Sequence, residues 1–249
     1  MKLGVVLALF GCAFAAPHTK PSRRQTYNGL GNPDEWGPHY QADLIGPFPI
    51  LNKNGILDEA YRWPNGKVAY DISSVFDQSQ KDSIHKAMDH YKTVTGGCIE
   101  FVPRTDEHDY VHFQSEGSGC YSNVGKIGGK QAINYPQWCL DSFGSTLHEM
   151  YHSLGFYHEQ SRTDRDDYVT IHYNHIQSGA EHNFDKYSED YIGPFGEDYD
   201  YGSVMHYSKY AFSDDGEVTI ETKNHGESIG QRVDLSDVDL SKLMNMYNC

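Results

Sequence analysis

Residues 148–158 read HEMYHSLGFYH and hold three histidines, His148, His152 and His158, with Gly155 before the last of them. His148 and His152 are four residues apart, so on a helix they lie one turn apart on the same face. A glycine accepts the positive φ of a sharp turn, and Gly155 therefore predicts a reversal that returns His158 to the same centre. Imidazoles buried together must be hydrogen-bonded, charged at a cost or bound to a metal ion. We interpret the stretch as a metal site.

Zinc is the metal that this ligand set predicts. Three neutral imidazoles fill three corners of a tetrahedron and leave the fourth for water, which is typical of a catalytic site. Zinc lowers the pKa of that water to about 7, and Glu149 lies beside the first histidine as a candidate general base. A structural metal site is one alternative, but it would give Glu149 no role. A zinc protease whose third ligand is a distant glutamate is another, but His158 already supplies the third ligand. Histidines satisfied by hydrogen bonds are the alternative without a metal.

The composition indicates a well-solvated globular protein. Of its 249 residues 38% are hydrophobic, and its formal net charge is −15. The length suffices for one domain of about 200 residues with a real core. A surface this acidic repels phosphate backbones, and we therefore exclude nucleic acid as a partner. We expect no membrane insertion, because no apolar run approaches the roughly 20 residues that cross a bilayer. We also expect a monomer.

The first residues, MKLGVVLALFGCAFAAP, predict a secretory signal. A lysine precedes an apolar run of about ten residues, and the small residues of a cleavage site follow at Ala13–Ala15. We predict a signal peptide at 1–15 and an exported, extracellular protein; a buried N-terminal helix is the alternative. The following segment, 16–53, is rich in turn formers and predicts extended or loosely ordered chain. The domain proper is expected at 54–249.

Hydrophobic periodicity predicts both strands and helices in this domain. Alternation in KVAYDI, residues 67–72, is typical of a strand. A helix is expected to begin at Asp77, which forms a capping pair with Gln80, and to end before Gly96 and Gly97. The other predicted elements are strands in CIEFVPR (98–104) and DYVHFQ (109–114), a helix over about 142–153, an irregular stretch over 157–224 and a final helix over 236–247.

Four cysteines remain once the predicted signal is removed: Cys98, Cys120, Cys139 and Cys249. In an oxidising compartment they predict two disulfides. Three connectivities are possible, and counting does not choose among them.

Extended to residue 165, the histidine stretch resembles the signature of the astacin family of zinc endopeptidases, within the metzincins. The pattern HExxHxxGxxHExxRxDR is met at every fixed position. A second motif, Ser203-Val204-Met205-His206-Tyr207, is similar to the Met-turn of that family. The resemblance covers roughly residues 54–249. The fixed positions of the first motif are His148, Glu149, His152, Gly155, His158, Glu159, Arg162, Asp164 and Arg165.

The resemblance implies an α+β fold of the astacin or metzincin type. Its N-terminal half would hold a twisted, mostly antiparallel sheet with long helices, and its C-terminal half would be irregular with a final helix. The active-site cleft would lie between the halves. The family implies a secreted zinc-dependent endopeptidase, with one Zn²⁺ per chain, acting on proteins or peptides. It also implies the disulfides Cys98–Cys249 and Cys120–Cys139.

The same resemblance implies roles for further residues. A methionine lies beneath the zinc ligands in astacins, and a tyrosine two residues on is a mobile ligand that donates its hydroxyl to the oxyanion. These positions are Met205 and Tyr207 here. The family arginine that lines the pocket after the scissile bond in meprins matches Arg232 in IGQR, residues 229–232. Arg232, with help from Lys223, is therefore a candidate for binding an acidic substrate side chain.

Astacins are made as zymogens, in which an aspartate of the pro-segment binds the zinc within a motif like FxGD. The nearest match is YQAD, residues 40–43, which departs from the motif at Tyr40 and Ala42 and implies Asp43 as the ligand. The segment 16–53 then becomes the pro-segment.

Activation would follow cleavage after Lys53, which a trypsin-like protease can make. The new amine of Asn54 would be buried near Glu159, where an ion pair could order it. A catalytically silent secreted binding protein with the same fold is the competing hypothesis from another functional class.

Overall fold

The computed structural model describes residues 32–46, 56–187 and 193–249. The predicted signal peptide and the predicted cleavage site at Lys53 lie outside these ranges. A five-stranded mixed sheet lies in the N-terminal half of the domain. The strand order is β2-β1-β3-β5-β4. The strands are β1 (Lys67–Ile72), β2 (Glu100–Pro103), β3 (Tyr110–Gln114), β4 (Tyr121–Ser122) and β5 (Lys130–Asn134).

The prediction that the sheet is mostly antiparallel is wrong. β1 pairs in parallel with both β2 and β3, β3 pairs in parallel with β5, and β4 is the antiparallel strand. A helix lies between β1 and β2, and such a crossover returns the chain in the same direction. Pro103 of β2 and Val111 of β3 both pair with Tyr70 of β1. Because β2 ends at the level where β3 begins, the short segment 104–109 can join two parallel strands.

The helices are α1 (Gln78–Val94), α2 (Gln137–Leu140), α3 (Phe143–Ser153) and α4 (Asp237–Tyr247). Three of them begin where the sequence predicts. Asp77 and Gln80 form the expected capping box of α1, and Ser142 caps α3 through the backbone N–H of Ser145. Ser236 caps α4 in a box with Asp239. These starts are local chemistry, since a side-chain oxygen satisfies an orphan N–H of the first turn.

Helix α3 passes through the centre of the core. Every residue from Gly144 to Ser153 is buried, whereas α1 buries only the face that the sequence predicts, Ile84, Ala87, Met88 and Tyr91. The hydroxyls of Tyr91 and Tyr135 donate to the carbonyls of Leu147 and Thr146 at 2.8 and 2.6 Å. A helix packed on all sides is held rigidly, which suits an element that carries site residues.

The C-terminal half is mainly irregular, as expected, with short 3₁₀ turns. It also contains a two-stranded antiparallel sheet of β6 (Val169–Ile171) and β7 (Ile220–Thr222), which the sequence reading did not predict. The structure pairs Cys98 with Cys249 and Cys120 with Cys139, with Cα–Cα distances of 6.0 and 6.1 Å. The first pair ties the end of α4 to the start of β2.

Residues 43–45 run along the edge of the sheet, beside β4. The N–H of Ser122 donates to the carbonyl of Asp43 at 2.8 Å, and the N–H of Ile45 donates to the carbonyl of Ser122 at 3.0 Å. Strand β4 therefore binds this segment as an extended peptide is bound by a sheet edge. Within the described ranges, no helix combines the length and the apolar character that a bilayer span requires.

Candidate active site

Helix α3 and the turn after it bring the three predicted histidines together. His148 and His152 lie on α3, and Gly155 adopts φ +113°, which reverses the chain toward His158. The ring centroids are 4.6 Å apart for 148–152, 4.8 Å for 152–158 and 5.2 Å for 148–158. All three side chains are fully buried.

Hydrogen bonds donated by Nδ1 aim the three rings at one centre. The Nδ1 atoms lie 2.8 Å from the carbonyl of Val204 for His148 and 2.6 Å from the carbonyl of Phe156 for His152. For His158 the partner is Oε1 of Gln41, at 2.8 Å. A carbonyl oxygen accepts only, so Nδ1 carries the proton and the Nε2 lone pair is free to bind a metal. Burial lowers the pKa of His158 to about 3, so its ring is neutral, as a ligand must be.

Asp43 completes the set. Its Oδ2 lies 3.1 Å from Nε2 of His148, 3.6 Å from Nε2 of His152 and 3.1 Å from Nε2 of His158. Ligands bound to zinc at about 2.0–2.2 Å in a tetrahedron stand roughly 3.3 Å from one another. Among the described residues, Nε2 of His152 and Oδ1 of Asp43 are buried without a hydrogen-bond partner. The four residues are positioned to hold a single zinc ion.

Glu149 is buried beside this cluster. Within the described ranges neither of its carboxylate oxygens has a hydrogen-bond partner. Burial raises the pKa of Glu149 well above its usual value, and the carboxylates of Asp43 and Asp34 raise it further. A buried carboxyl group without partners is a group held for chemistry rather than for stability.

The segment 203–207 lies beneath the histidines. Met205 and Tyr207 are buried, and the Tyr207 ring centroid is 4.5 Å from that of His158. The Tyr207 hydroxyl donates to the backbone carbonyl of Gln41 at 2.7 Å. Burial raises the pKa of Tyr207 well above its usual value, which keeps the phenol neutral and able to donate.

The matching family model is that of the peptidase family named Astacin, and it covers residues 55–248. The chain belongs to the astacin family. Its cofactor is zinc, which the group of His148, His152, His158 and Asp43 is positioned to bind.

Curated zinc proteinases are similar to this chain. Zinc metalloproteinase nas-4 of Caenorhabditis elegans is 42% identical over 202 residues, which is 80% of this chain and 63% of that protein. Meprin A subunit beta of Homo sapiens is 44% identical over 200 residues, 79% of this chain and 28% of that protein. The chain thus spans less than two thirds of these relatives.

Among solved structures, high choriolytic enzyme 1, a hatching enzyme zinc-protease from Oryzias latipes, is 35% identical. It matches with a TM-score of 0.73 over 80% of this chain and 99% of that one. Myroilysin, at 19% identity and a TM-score of 0.54, shares the fold.

The loop that carries Asp43 has left-handed backbone at the two residues before Asp43. Gln41 and Ala42 adopt φ of +50° and +72°. The left-handed conformation suits glycine, the family residue at position 42, and costs alanine about 1–2 kcal/mol. Gly37 supports the turn, because a Cβ there would lie 1.7 Å from the carbonyl oxygen of Ala42. Tyr40, in place of phenylalanine, stacks on His182 with a centroid distance of 5.9 Å.

The Arg232 side chain is 5% exposed and pairs with Asp34, whereas Lys223 contacts a different part of the chain. Its Nη2 lies 2.6 Å from Oδ2 of Asp34, in the 3₁₀ turn Pro33–Glu35. The same oxygen is 3.9 Å from Nε2 of His148, so the carboxylate of Asp34 lies between Arg232 and the zinc ligands. Lys223 donates instead to the backbone carbonyl of Asp166. The astacin resemblance predicted Arg232 as a site residue. The sequence did not predict Asp34, because a proline followed by two acidic residues resembles an ordinary helix start.

Glu159, next to the third histidine, is already ion-paired. Lys242 of α4 places Nζ 2.8 Å from both of its carboxylate oxygens, and Nη1 of Arg162 is 3.2 Å from Oε1. Burial would raise the pKa of Glu159, but these two cations outweigh it and hold the pKa below its usual value. The predicted partner of Glu159, the amine of Asn54, lies outside the described residues. Lys242 was not predicted, because a lysine on a terminal helix carries no local signal of burial.

Proposed function

We propose that this astacin is a secreted zinc endopeptidase made as a zymogen. The single observation that carries the proposal is the buried centre in which three imidazoles and Asp43 converge beside Glu149, whose carboxylate has no hydrogen-bond partner among the described residues. The proposed division is a signal peptide at 1–15, a pro-segment at 16–53 and a peptidase domain at 54–249. Its substrates are proteins or peptides whose extended backbone fits the edge of β4, where residues 43–45 bind.

The proposed chemistry uses residues that are in place. Zinc, when bound, supplies a Lewis acid that polarises the scissile carbonyl and activates a water molecule. Glu149 accepts the proton of the attacking water and passes it to the leaving amine. Tyr207 donates a hydrogen bond to the carbonyl oxygen as negative charge develops on it. The bond from Tyr207 to the Gln41 carbonyl supports this role, since it already binds a peptide carbonyl in the cleft.

Latency is proposed to rest on Asp43. Its Oδ2 stands at the corner that a water molecule needs, at 3.1–3.6 Å from the three ligand nitrogens. Cleavage after Lys53 by a trypsin-like protease would sever the pro-segment from the domain, and departure of the severed segment would expose the centre. Met205 would remain as the apolar floor beneath the ligands.

The test of this function uses the full chain. The intact protein should not hydrolyse casein, and trypsin treatment should produce activity. A zinc chelator should abolish that activity, and added Zn²⁺ should restore it. Activity that survives the chelator, or its absence after complete cleavage, removal of the severed pro-segment and zinc loading, would refute the proposal.

Arg232 is proposed to select acidic side chains directly after the scissile bond. In the activated protein, Arg232→Gln should lower the kcat/KM ratio for an Asp peptide over its Asn analogue by at least about 10-fold, because a bidentate charge-assisted pair is lost. Lys223→Gln is the matched control. Its ammonium contacts the carbonyl of Asp166 rather than the Arg232 site, so a small effect is expected. Equal turnover of the two peptides by the wild type would contradict the role of Arg232.

A further inference from the structure

Three carboxylates of the described part of the pro-segment are buried: Asp34, Glu35 and Asp43. Asp43 and Asp34 meet the metal-binding and the cationic groups of the cleft. Asp43 faces the zinc ligands, and Asp34 faces Arg232. Both side chains are 0% exposed. The family motif accounts for Asp43, but it does not include Asp34.

Asp34 is bound as a carboxylate. Oδ2 accepts from Nη2 of Arg232 at 2.6 Å and from Nε at 3.0 Å, and Oδ1 accepts from Nε at 3.1 Å. The hydroxyl of Ser145, in the first turn of α3, donates to Oδ1 at 2.7 Å. Burial raises the pKa of Asp34, but the Arg232 guanidinium outweighs it and holds the pKa well below its usual value. The group is therefore a desolvated anion with each oxygen satisfied.

The receiving site is built by the peptidase domain. Nη1 of Arg232 donates to the carbonyls of His206 and Gln231 at 3.0 and 2.9 Å, which orients the guanidinium without help from Asp34. The N–H of Gly144 donates to the carbonyl of Arg232 at 3.1 Å. A Cβ at Gly144 would lie 2.0 Å from the carbonyl carbon of Arg232, so only glycine allows this approach. The socket is thus organised before a carboxylate enters it.

We propose that Arg232 and Ser145 form a second carboxylate-binding site for the pro-segment, so that the severed segment remains in the cleft as a two-point inhibitor held through Asp34 as well as Asp43. The inference rests on the proposed zymogen function.

The sequence supports retention of both anchors on one fragment. Residues 25–52 contain no lysine or arginine, so a trypsin-like protease that cuts after Arg24 and Lys53 releases Asp34 and Asp43 together. Two linked contacts bind more tightly than either alone, because the second forms at high effective concentration. Cleavage after Lys53 is then insufficient for full activity until the fragment dissociates or is degraded.

The experiment follows the fragment rather than catalysis. Zinc-loaded full chain is cleaved completely, passed over a size-exclusion column at several concentrations, and the co-eluting fragment 25–53 is quantified by mass spectrometry. Asp34→Asn should raise the dissociation constant at least about 10-fold, since charge-assisted bonds to a buried guanidinium are lost. Residues 54–249 are identical in the two proteins, so the domain is its own control.

Two further variants separate this site from general packing. Glu35→Gln should weaken retention much less than Asp34→Asn, because the closest contacts of Glu35 are neutral: the N–H and hydroxyl of Ser208, both at 2.6 Å. Arg232→Gln should weaken it as much as Asp34→Asn, and the double variant should be no weaker than either alone. Thermal unfolding of each full chain checks that the variants fold.

Equal retention of the wild-type fragment and the fragment carrying Asp34→Asn would overturn the proposal, as would additive effects of the Asp34 and Arg232 changes. Failure of this proposal can be told apart from failure of the proposed function, because the retention measurement turns over no substrate. A protein that hydrolyses casein in a zinc-dependent manner but retains both fragments equally would lose only the second anchor.

Discussion

Replacing Glu149 by glutamine in the activated protein is expected to lower kcat about 1000-fold while zinc stays bound. Glutamine preserves the shape of the side chain but has no basic oxygen to accept a proton from water. Burial raises the pKa of Glu149, which shows that the site disfavours a charged group. Glutamine is neutral, so the substitution adds no charge to this site. Because Glu149 is not one of the four residues that converge on the metal centre, zinc affinity should change little.

The measurement pairs steady-state kinetics with the zinc content of the purified variant. Glu217→Gln, an exposed glutamate, is the matched control and should behave as the wild type. KM should change less than kcat, since the proton is taken during the chemical step. A zinc-loaded Glu149→Gln variant with kcat within a factor of a few of the wild type would rule out Glu149 as the general base.

Replacing Lys242 by alanine is expected to lower the free energy of unfolding by about 3–5 kcal/mol. Lys242 and Glu159 are both buried, and the ammonium lies 2.8 Å from each carboxylate oxygen. Alanine would leave Glu159 in the interior with Arg162 alone. Zinc affinity should fall too, because Glu159 directly follows the ligand His158.

Chemical denaturation of the full chain measures this loss. Lys92→Ala is the control, because Lys92 makes an exposed pair with Glu100 at 2.6 Å and should change the midpoint little. The double variant Lys242→Met with Glu159→Gln should lose less than Lys242→Ala, since no buried charge is orphaned and Arg162 keeps Asp164 at 2.8 Å. An unchanged midpoint for Lys242→Ala would show that the pair contributes nothing.

The pH dependence of this loss has a defined sign. In the wild type the pKa of Glu159 is held below its ordinary value of 4.5. The stabilisation is therefore present above the unfolded-state pKa and is lost as the pH falls through the folded-state pKa. The difference between wild type and Lys242→Ala should be full near pH 7 and should shrink in acid.

Local chemistry explains which elements could be predicted. The starts of α1, α3 and α4 follow from Asp77, Ser142 and Ser236, whose side chains act within three residues of themselves. Strand positions followed from alternation, but alternation does not reveal the partner of a strand. The mostly parallel sheet depends on the α1 crossover and on the staggered pairing of β2 and β3 with β1, which are contacts between distant residues.

The sequence by itself determined the zinc ligands and the candidate base, because His148, Glu149 and His152 share one helix and a single glycine turn delivers His158. The tertiary structure alone decided which groups surround them. Asp34 reaches Arg232, and Lys242 reaches Glu159, across separations of 198 and 83 residues. Such partners are chosen by the need to neutralise charge in a low-dielectric interior, and that need exists only after the chain has folded around them.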